Sequence, residues 1–259
     1  MTIDHRYWAE YLLDAVDSRT ETRSIASHIG QFGIDDAYLI QDQVVQARLG
    51  RGDTIAGAKL GLTSVAKQQQ MGVDEPCYGW VFTSSLLLSD EVDLSGLIHP
   101  RVEPEFVFVM AEDVSGEDIT AADILDATSY VCGGIEVIDS RYEAFKFTLP
   151  DVIADNTSAA RARIGSGTPG FVVPDIPSIP VVFQIDGVDA ASATGAALLG
   201  SPAACVAMLA RHLYRRGSGI SAGWTILAGA PTDAKPLAAG TRAVATYGAT
   251  LANVRVEGC

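Results

Sequence analysis

The chain has 259 residues, 48% of them apolar and 19% charged, with a formal charge of −14. That length buries a substantial core in one large domain or two small ones. The acidic surface repels a nucleic-acid backbone and an anionic membrane alike, so neither is expected as a partner. A small anionic substrate stays compatible, because a bound metal and a few local cations invert the field inside one pocket.

In chain order, Tyr7, Trp8, Tyr11, Leu12 and Val16 recur at helical spacing over residues 4–17. Ile34-Asp35-Asp36-Ala37 reads as the capped start of a second helix running to Leu49. From Thr54 the texture changes to short runs broken by Gly and Pro. Strands are expected over Ile55–Leu60, Gly79–Leu88, Val102–Met110, Ser129–Ile138, Ile164–Val173, Pro180–Ile185, Trp224–Ala228 and Arg242–Tyr247. Helices are expected over 119–131 and 201–216, the latter with Ser201 at its cap and Pro202 in its first turn. Strands that do not alternate regularly with helices favour an α+β fold over a doubly wound sheet. The N-terminus lacks a basic segment followed by an apolar one, and no run of about 18 apolar residues occurs, so a cytoplasmic location is expected. Cys77, Cys132, Cys205 and Cys259 show no C-x-x-C spacing and are expected as reduced thiols.

Chemistry concentrates in Pro100-Arg101-Val102-Glu103-Pro104-Glu105. Carboxylates at i and i+2 of an extended segment share one face, where like charges are costly without a cation between them. The apolar run Phe106–Met110 anchors that strand in a core, and Glu136 lies inside another apolar stretch, Gly134–Ile138. Three such acids suit a hard ion such as Mg2+ or Mn2+. The plainer alternative is a solvated strand face with Glu136 paired to an arginine. Lys59, in Gly57-Ala58-Lys59-Leu60-Gly61, is either a snorkelling surface lysine or a poorly solvated proton shuttle.

Five ordered segments carry a resemblance: Ala58–Ser64, Met71–Gly79, His99–Glu105, Ile135–Arg141 and Asp151–Ser158. With Gly223–Thr232 they resemble the hydratase/decarboxylase branch of the fumarylacetoacetate hydrolase superfamily, whose members act on 2-oxo acids from aromatic meta-cleavage. The resemblance implies a mixed β-sheet roll, with a helical segment over 1–52 and a catalytic domain over 53–259. It implies Mg2+ or Mn2+ on Glu103, Glu105 and Glu136, with Lys59 as general acid/base. Leu62, Thr63 and Ser158 would orient the substrate carboxylate, supported by Asp155 and Asn156.

Hydratases of the branch carry Asp where this chain has Cys77, and a thiol is a poor substitute for that acid/base. Asp139–Phe147 and the proline inside the metal motif resemble the decarboxylases that convert 2-oxo-3-hexenedioate (4-oxalocrotonate) to 2-hydroxypenta-2,4-dienoate and CO2. The expected partner is therefore a small 2-oxo dicarboxylate, whose far carboxylate needs a cation, and Arg141 or Lys146 is expected to supply it. Homo-oligomerisation and association with a related hydratase are further expectations of the branch. A pentenoate hydratase with the same metal site, a hydrolase using a Glu-His pair around His99, and an inactive scaffold are the competing readings.

Overall fold

The computed structural model describes residues 3–64, 68–69, 76–167, 169 and 175–259. Met71–Glu75 of the second motif lies outside the described residues, as do 168 and 170–173 of the predicted strand Ile164–Val173. Helices α1 (His5–Ser18), α2 (Ile25–Ile29) and α3 (Ile34–Gly50) come first, then strands β1 (Ile55–Gly61), β2 (Cys77–Phe82), β3 (Glu91–Val92) and β4 (Arg101–Met110). Helix α4 (Ala121–Asp126) precedes β5 (Thr128–Ile138), and α5 (Leu149–Ala154) precedes β6 (Ala159–Ile164). The chain continues through β7 (Pro180–Ile185), β8 (Val188–Thr194), α6 (Pro202–Arg215), β9 (Thr225–Leu227), β10 (Lys235–Pro236), β11 (Arg242–Tyr247) and β12 (Leu251–Gly258).

A seven-stranded sheet runs β2-β1-β9-β4-β5-β6, with β10 also on β4, and a five-stranded sheet runs β3-β12-β11-β7-β8. Among the described strands only β1–β9 and β12–β3 are parallel pairs, so the α+β expectation holds. The N-terminal helices share the main core: Trp8, Leu12, Tyr38 and Val44 cluster with Phe106, Ile135 and Tyr142. Gln41 of α3, fully buried, donates through Nε2 to Tyr78 O and Ile153 O at 2.9 Å each, tying the helix to β2 and α5.

Several boundaries differ from expectation for local reasons. α4 ends at Asp126 because the β-branched and aromatic run from Thr128 enters the sheet. A strand at Ala159–Ile164 ends where the strand expected over Ile164–Val173 begins. β8 escaped detection because Val-Asp-Ala-Ala-Ser-Ala-Thr has weak strand propensity; the hairpin signal was Asp186-Gly187, both at positive φ (52° and 80°) as a type I′ turn demands. Gly195–Arg215 is long and apolar enough to cross a membrane, yet half of that window is buried inside the fold, as in a core helix.

Tyr247, closing β11, joins the two sheets. Its hydroxyl oxygen accepts from Glu105 N and Gly134 N at 3.1 and 3.2 Å, and lies 2.7 and 2.8 Å from the carbonyls of the same two residues, one of which takes its proton. The phenol thus stands between β4 and β5 at the register pair Glu105–Gly134, beside Pro104, which has no N–H for the ladder. Gly133 makes room for the ring, since a Cβ there would lie 2.1 Å from Cε2. Gly133→Ala is expected to lower stability by about 1–3 kcal/mol in denaturant titration, through overpacking and loss of the hydroxyl bonds; an unchanged midpoint contradicts that role.

Candidate active site

Alternation along β4 puts Arg101, Glu103, Glu105 and Val107 on one face. Glu103 stands directly opposite Glu136 of β5, so both project from that face. Lys59 reaches it from β1, in register with Leu227, which in turn pairs with Val107. The face continues into a small apolar cluster of Val81, Val107, Cys132, Ala162 and Leu227, so the charged groups have a dry floor. Donor oxygens of Glu103, Glu105 and Glu136 lie within 4.8 Å of one another, and all three residues are buried.

Lys59 Nζ is 3.0 Å from Glu136 Oε2 and donates to Thr157 O at 3.2 Å. Glu105 Oε2 accepts from Gly229 N at 2.7 Å, whereas its buried Oε1 has no hydrogen-bond partner among the described residues. A fully buried carboxylate oxygen left that way is costly. Three converging carboxylates with one orphaned oxygen fit a hard, oxygen-seeking dication. Gly229 is at φ +120°, and a Cβ would collide with Thr63 Oγ1 at 2.0 Å; only glycine brings this N–H to Glu105 beside Thr63.

The carbonyl that receives Lys59 belongs to an unusual turn: Asn156, Thr157 and Ser158 all have left-handed φ, 49°, 50° and 58°. Such backbone costs roughly 1–2 kcal/mol per non-glycine residue and persists only where surroundings over-determine it. Asn156 supplies that by accepting from Trp80 N at 2.7 Å and donating to Trp80 O at 3.0 Å. Asp155 accepts from the Arg141 guanidinium and from Ser158 Oγ. Gly79 lets β2 approach, because a Cβ there would sit 2.2 Å from Thr157 Oγ1. The turn thereby sets the Thr157 carbonyl on the lysine, while the side chains of Asp155, Asn156 and Ser158 bond to Arg141, Trp80 and Asp155. Leu62, also at positive φ (59°), and the buried Thr63 follow directly on β1.

Two predicted residues are not brought to this face as free cations. Arg141 is buried and committed to Asp155, to the carbonyls of Asp139 and Ala159, and to Asp155 O. Lys146 is exposed and its side chain makes no hydrogen bond or ion pair among the described residues. A second cation on the carboxylate face, after Lys59, is Arg101, whose Cζ stands 4.3 Å from the Phe145 ring centroid. It forms no ion pair among the described residues. The period-two spacing Arg101-x-Glu103-x-Glu105 was the signal available for it in the sequence. His99 meets a carboxylate, with Nδ1 3.3 Å from Glu21 Oε2, so the imidazole pairs outside the triad rather than with Glu103, Glu105 or Glu136.

Burial and the Glu136 charge push Glu105 well above its ordinary value, with Glu103 adding and Lys59 opposing. Burial pulls Lys59 down, but Glu136, Glu103 and Glu105 outweigh it and hold the amine up. A dication neutralising the carboxylates removes that support and leaves burial to lower the lysine. Cys77, on the Lys59 side of β2, is raised to about 11 by burial against the pull of Lys59, so it is a neutral thiol. Since Glu105 binds its proton more tightly folded than unfolded, it stabilises fully below 4.5 and loses that contribution as pH rises through the raised value. Asp155, pushed up to about 6 by burial against Arg141, is mostly ionised about a unit above that pH. With EDTA, the melting temperature is therefore expected to keep falling as pH rises above about 7, and saturating Mg2+ should abolish the metal-sensitive part; coincident profiles contradict the triad.

No protein-family model matches the chain. It is 41% identical to a 4-oxalocrotonate decarboxylase of Pseudomonas sp. strain CF600 over 82% of this chain and 81% of that one. It is 34% identical to the TodF product hydratase of Pseudomonas putida F1, over 90% and 87%. The crystal structure of 4-oxalocrotonate decarboxylase from Pseudomonas putida G7, complexed with magnesium and adipate, superposes with a TM-score of 0.93 at 34% identity, covering 98% and 97%. Fumarylpyruvate hydrolase from Pseudomonas aeruginosa, complexed with Mn2+ and pyruvate, shares the fold at a TM-score of 0.60 and 16% identity, over 78% and 88%. The chain belongs to the hydratase/decarboxylase branch of the fumarylacetoacetate hydrolase superfamily.

Proposed function

We propose that this protein is a divalent-metal-dependent decarboxylase that converts 2-oxo-3-hexenedioate to 2-hydroxypenta-2,4-dienoate and CO2. The observation that carries the reading is a three-carboxylate cage suited to Mg2+ or Mn2+ on one strand face, with the Arg101 guanidinium two residues from Glu103 on the same face. Two strand residues span about 7 Å, the scale of a six-carbon diacid. The magnesium and adipate named with the Pseudomonas putida G7 enzyme support the same pairing of a dication with a six-carbon diacid.

Glu103, Glu105 and Glu136 would hold the metal, which supplies polarisation of the 2-oxo group and stabilisation of the enolate charge. Arg101 binds the far carboxylate and orients its C–C bond for cleavage, with the freed electron pair delocalised through the C3–C4 double bond toward the 2-oxo oxygen. Lys59, held by Thr157 O and Glu136, supplies the proton that the 2-oxygen takes up as the dienolate becomes the 2-hydroxy product. The apolar floor keeps water from the carbanion-like carbons. Cys77, a neutral thiol beside Lys59, offers no carboxylate to deliver water. The relatives named as hydratases share the branch, and hydration of 2-hydroxypenta-2,4-dienoate at the same metal site is the second reading; Cys77 disfavours it.

Arg101→Met separates the two. Kinetics with the diacid should show kcat/KM lowered about ten- to a hundredfold, the value of a charge-assisted contact, while affinity for the monoacid dienoate is unchanged. Equal loss for both ligands would remove Arg101 from the diacid end.

A further inference from the structure

A cavity of about 530 Å3 lies between the N-terminal helices and the edge of the large sheet, away from the carboxylate triad. Arg161 stands opposite Val137 across β5–β6, one residue out of phase with Glu136, so it projects from the other face of the sheet. The volume is that of a small-molecule site, placed where two parts of the fold meet. Its lining includes Leu12, Leu13 and Val16 of α1 and Leu97. It also includes Arg48, Arg141 and Arg161, with Arg51 paired to Asp17, a concentration of positive charge in a protein of net charge −14.

The carboxylates nearby are already taken. Asp53 accepts from Arg48 and Ser84, Asp139 accepts from the N–H groups of Ile98 and His99, and Asp155 is held by Arg141. Arg141 is itself occupied on every side. Arg48, lying 3.8 Å over the Phe82 ring, uses only one terminal nitrogen among the described residues, on Asp53 and Ser84. Arg161 donates only from one nitrogen to the carbonyl of Ala160 among the described residues. Burial holds Arg48 below its ordinary value, and repulsion from Arg141 and Arg161 adds to this against Asp53. Two guanidiniums with spare donors, in a cavity also lined by aliphatic side chains, form a receptor for an anion with an apolar tail.

We propose that this cavity is a second binding site, distinct from the metal centre, for a small organic acid whose carboxylate sits between Arg48 and Arg161 and whose hydrocarbon part lies on Leu12, Leu13, Val16 and Leu97. Asp155 and Asn156 line the cavity on one side and build the Lys59 turn on the other, so an occupant touches the segment that positions the lysine.

The test is isothermal titration of the full chain with hexanoate, and with hexanamide as its neutral counterpart, in EDTA so that no metal competes. Hexanoate is expected to bind one per chain and hexanamide at least tenfold more weakly. Arg161→Met should weaken hexanoate about ten- to a hundredfold, with Arg161→Lys in between, and Glu105→Gln should leave it unchanged. Circular dichroism of each variant checks the fold, and the Lys variant reads the site if the Met variant does not fold. Absence of hexanoate binding, equal binding by hexanamide or by both Arg161 variants, or loss in Glu105→Gln would each overturn the proposal.

Discussion

Glu105→Gln is expected to abolish metal-dependent turnover and to weaken Mg2+ binding by more than about a hundredfold, the upper range for losing a mere outer-shell partner. Glu105 is fully buried, and one oxygen takes the Gly229 N–H while the other has no partner among the described residues. An amide keeps the volume and an acceptor for Gly229, so the fold survives. It also removes a charge that Glu136 and Glu103 repel, so the metal-free variant should melt at a higher temperature than the metal-free parent at neutral pH. Titration calorimetry and thermal melts read the two effects separately. Undiminished Mg2+ binding, or a less stable apo variant, contradicts the triad as the metal cage.

Lys59→Met is expected to lower kcat by about 10²–10⁴, the range for a positioned acid/base, while Mg2+ affinity stays the same or rises. The sign of the second effect follows from electrostatics: the ammonium 3.0 Å from Glu136 repels a dication competing for that carboxylate. A residue needed only for folding would lower both together. Rate loss accompanied by weaker metal binding would therefore assign Lys59 to structure.

What could be read from the sequence follows period. Glu103 and Glu105 alternate within a strand whose flanks are β-branched and aromatic, and Glu136 lies within a second apolar run, so the shared face was legible before their register was known. Arg101 obeys the same alternation, yet the resemblance drew the far cation to Arg141 and Lys146. Arg141 is claimed by Asp155, fourteen residues on, and a pairing between two loops leaves no periodic trace. The left-handed turn Asn156–Ser158 was equally hidden, because none of its residues is glycine and the side chains that hold it reach to Trp80 on another strand. The Tyr247 hydroxyl at Glu105 and Gly134 depends on 142 and 113 residues of intervening chain. Tertiary contacts of that span decide the geometry of the site while composition and spacing decide its chemistry.

The central claim is tested most directly by incubating the Mg2+-loaded protein with 2-oxo-3-hexenedioate, and separately with 2-hydroxypenta-2,4-dienoate, following CO2 release and dienol absorbance with and without EDTA. CO2 from the diacid, abolished by EDTA, with no hydration of the dienoate is the predicted result; hydration of the dienoate without CO2 from the diacid would contradict it.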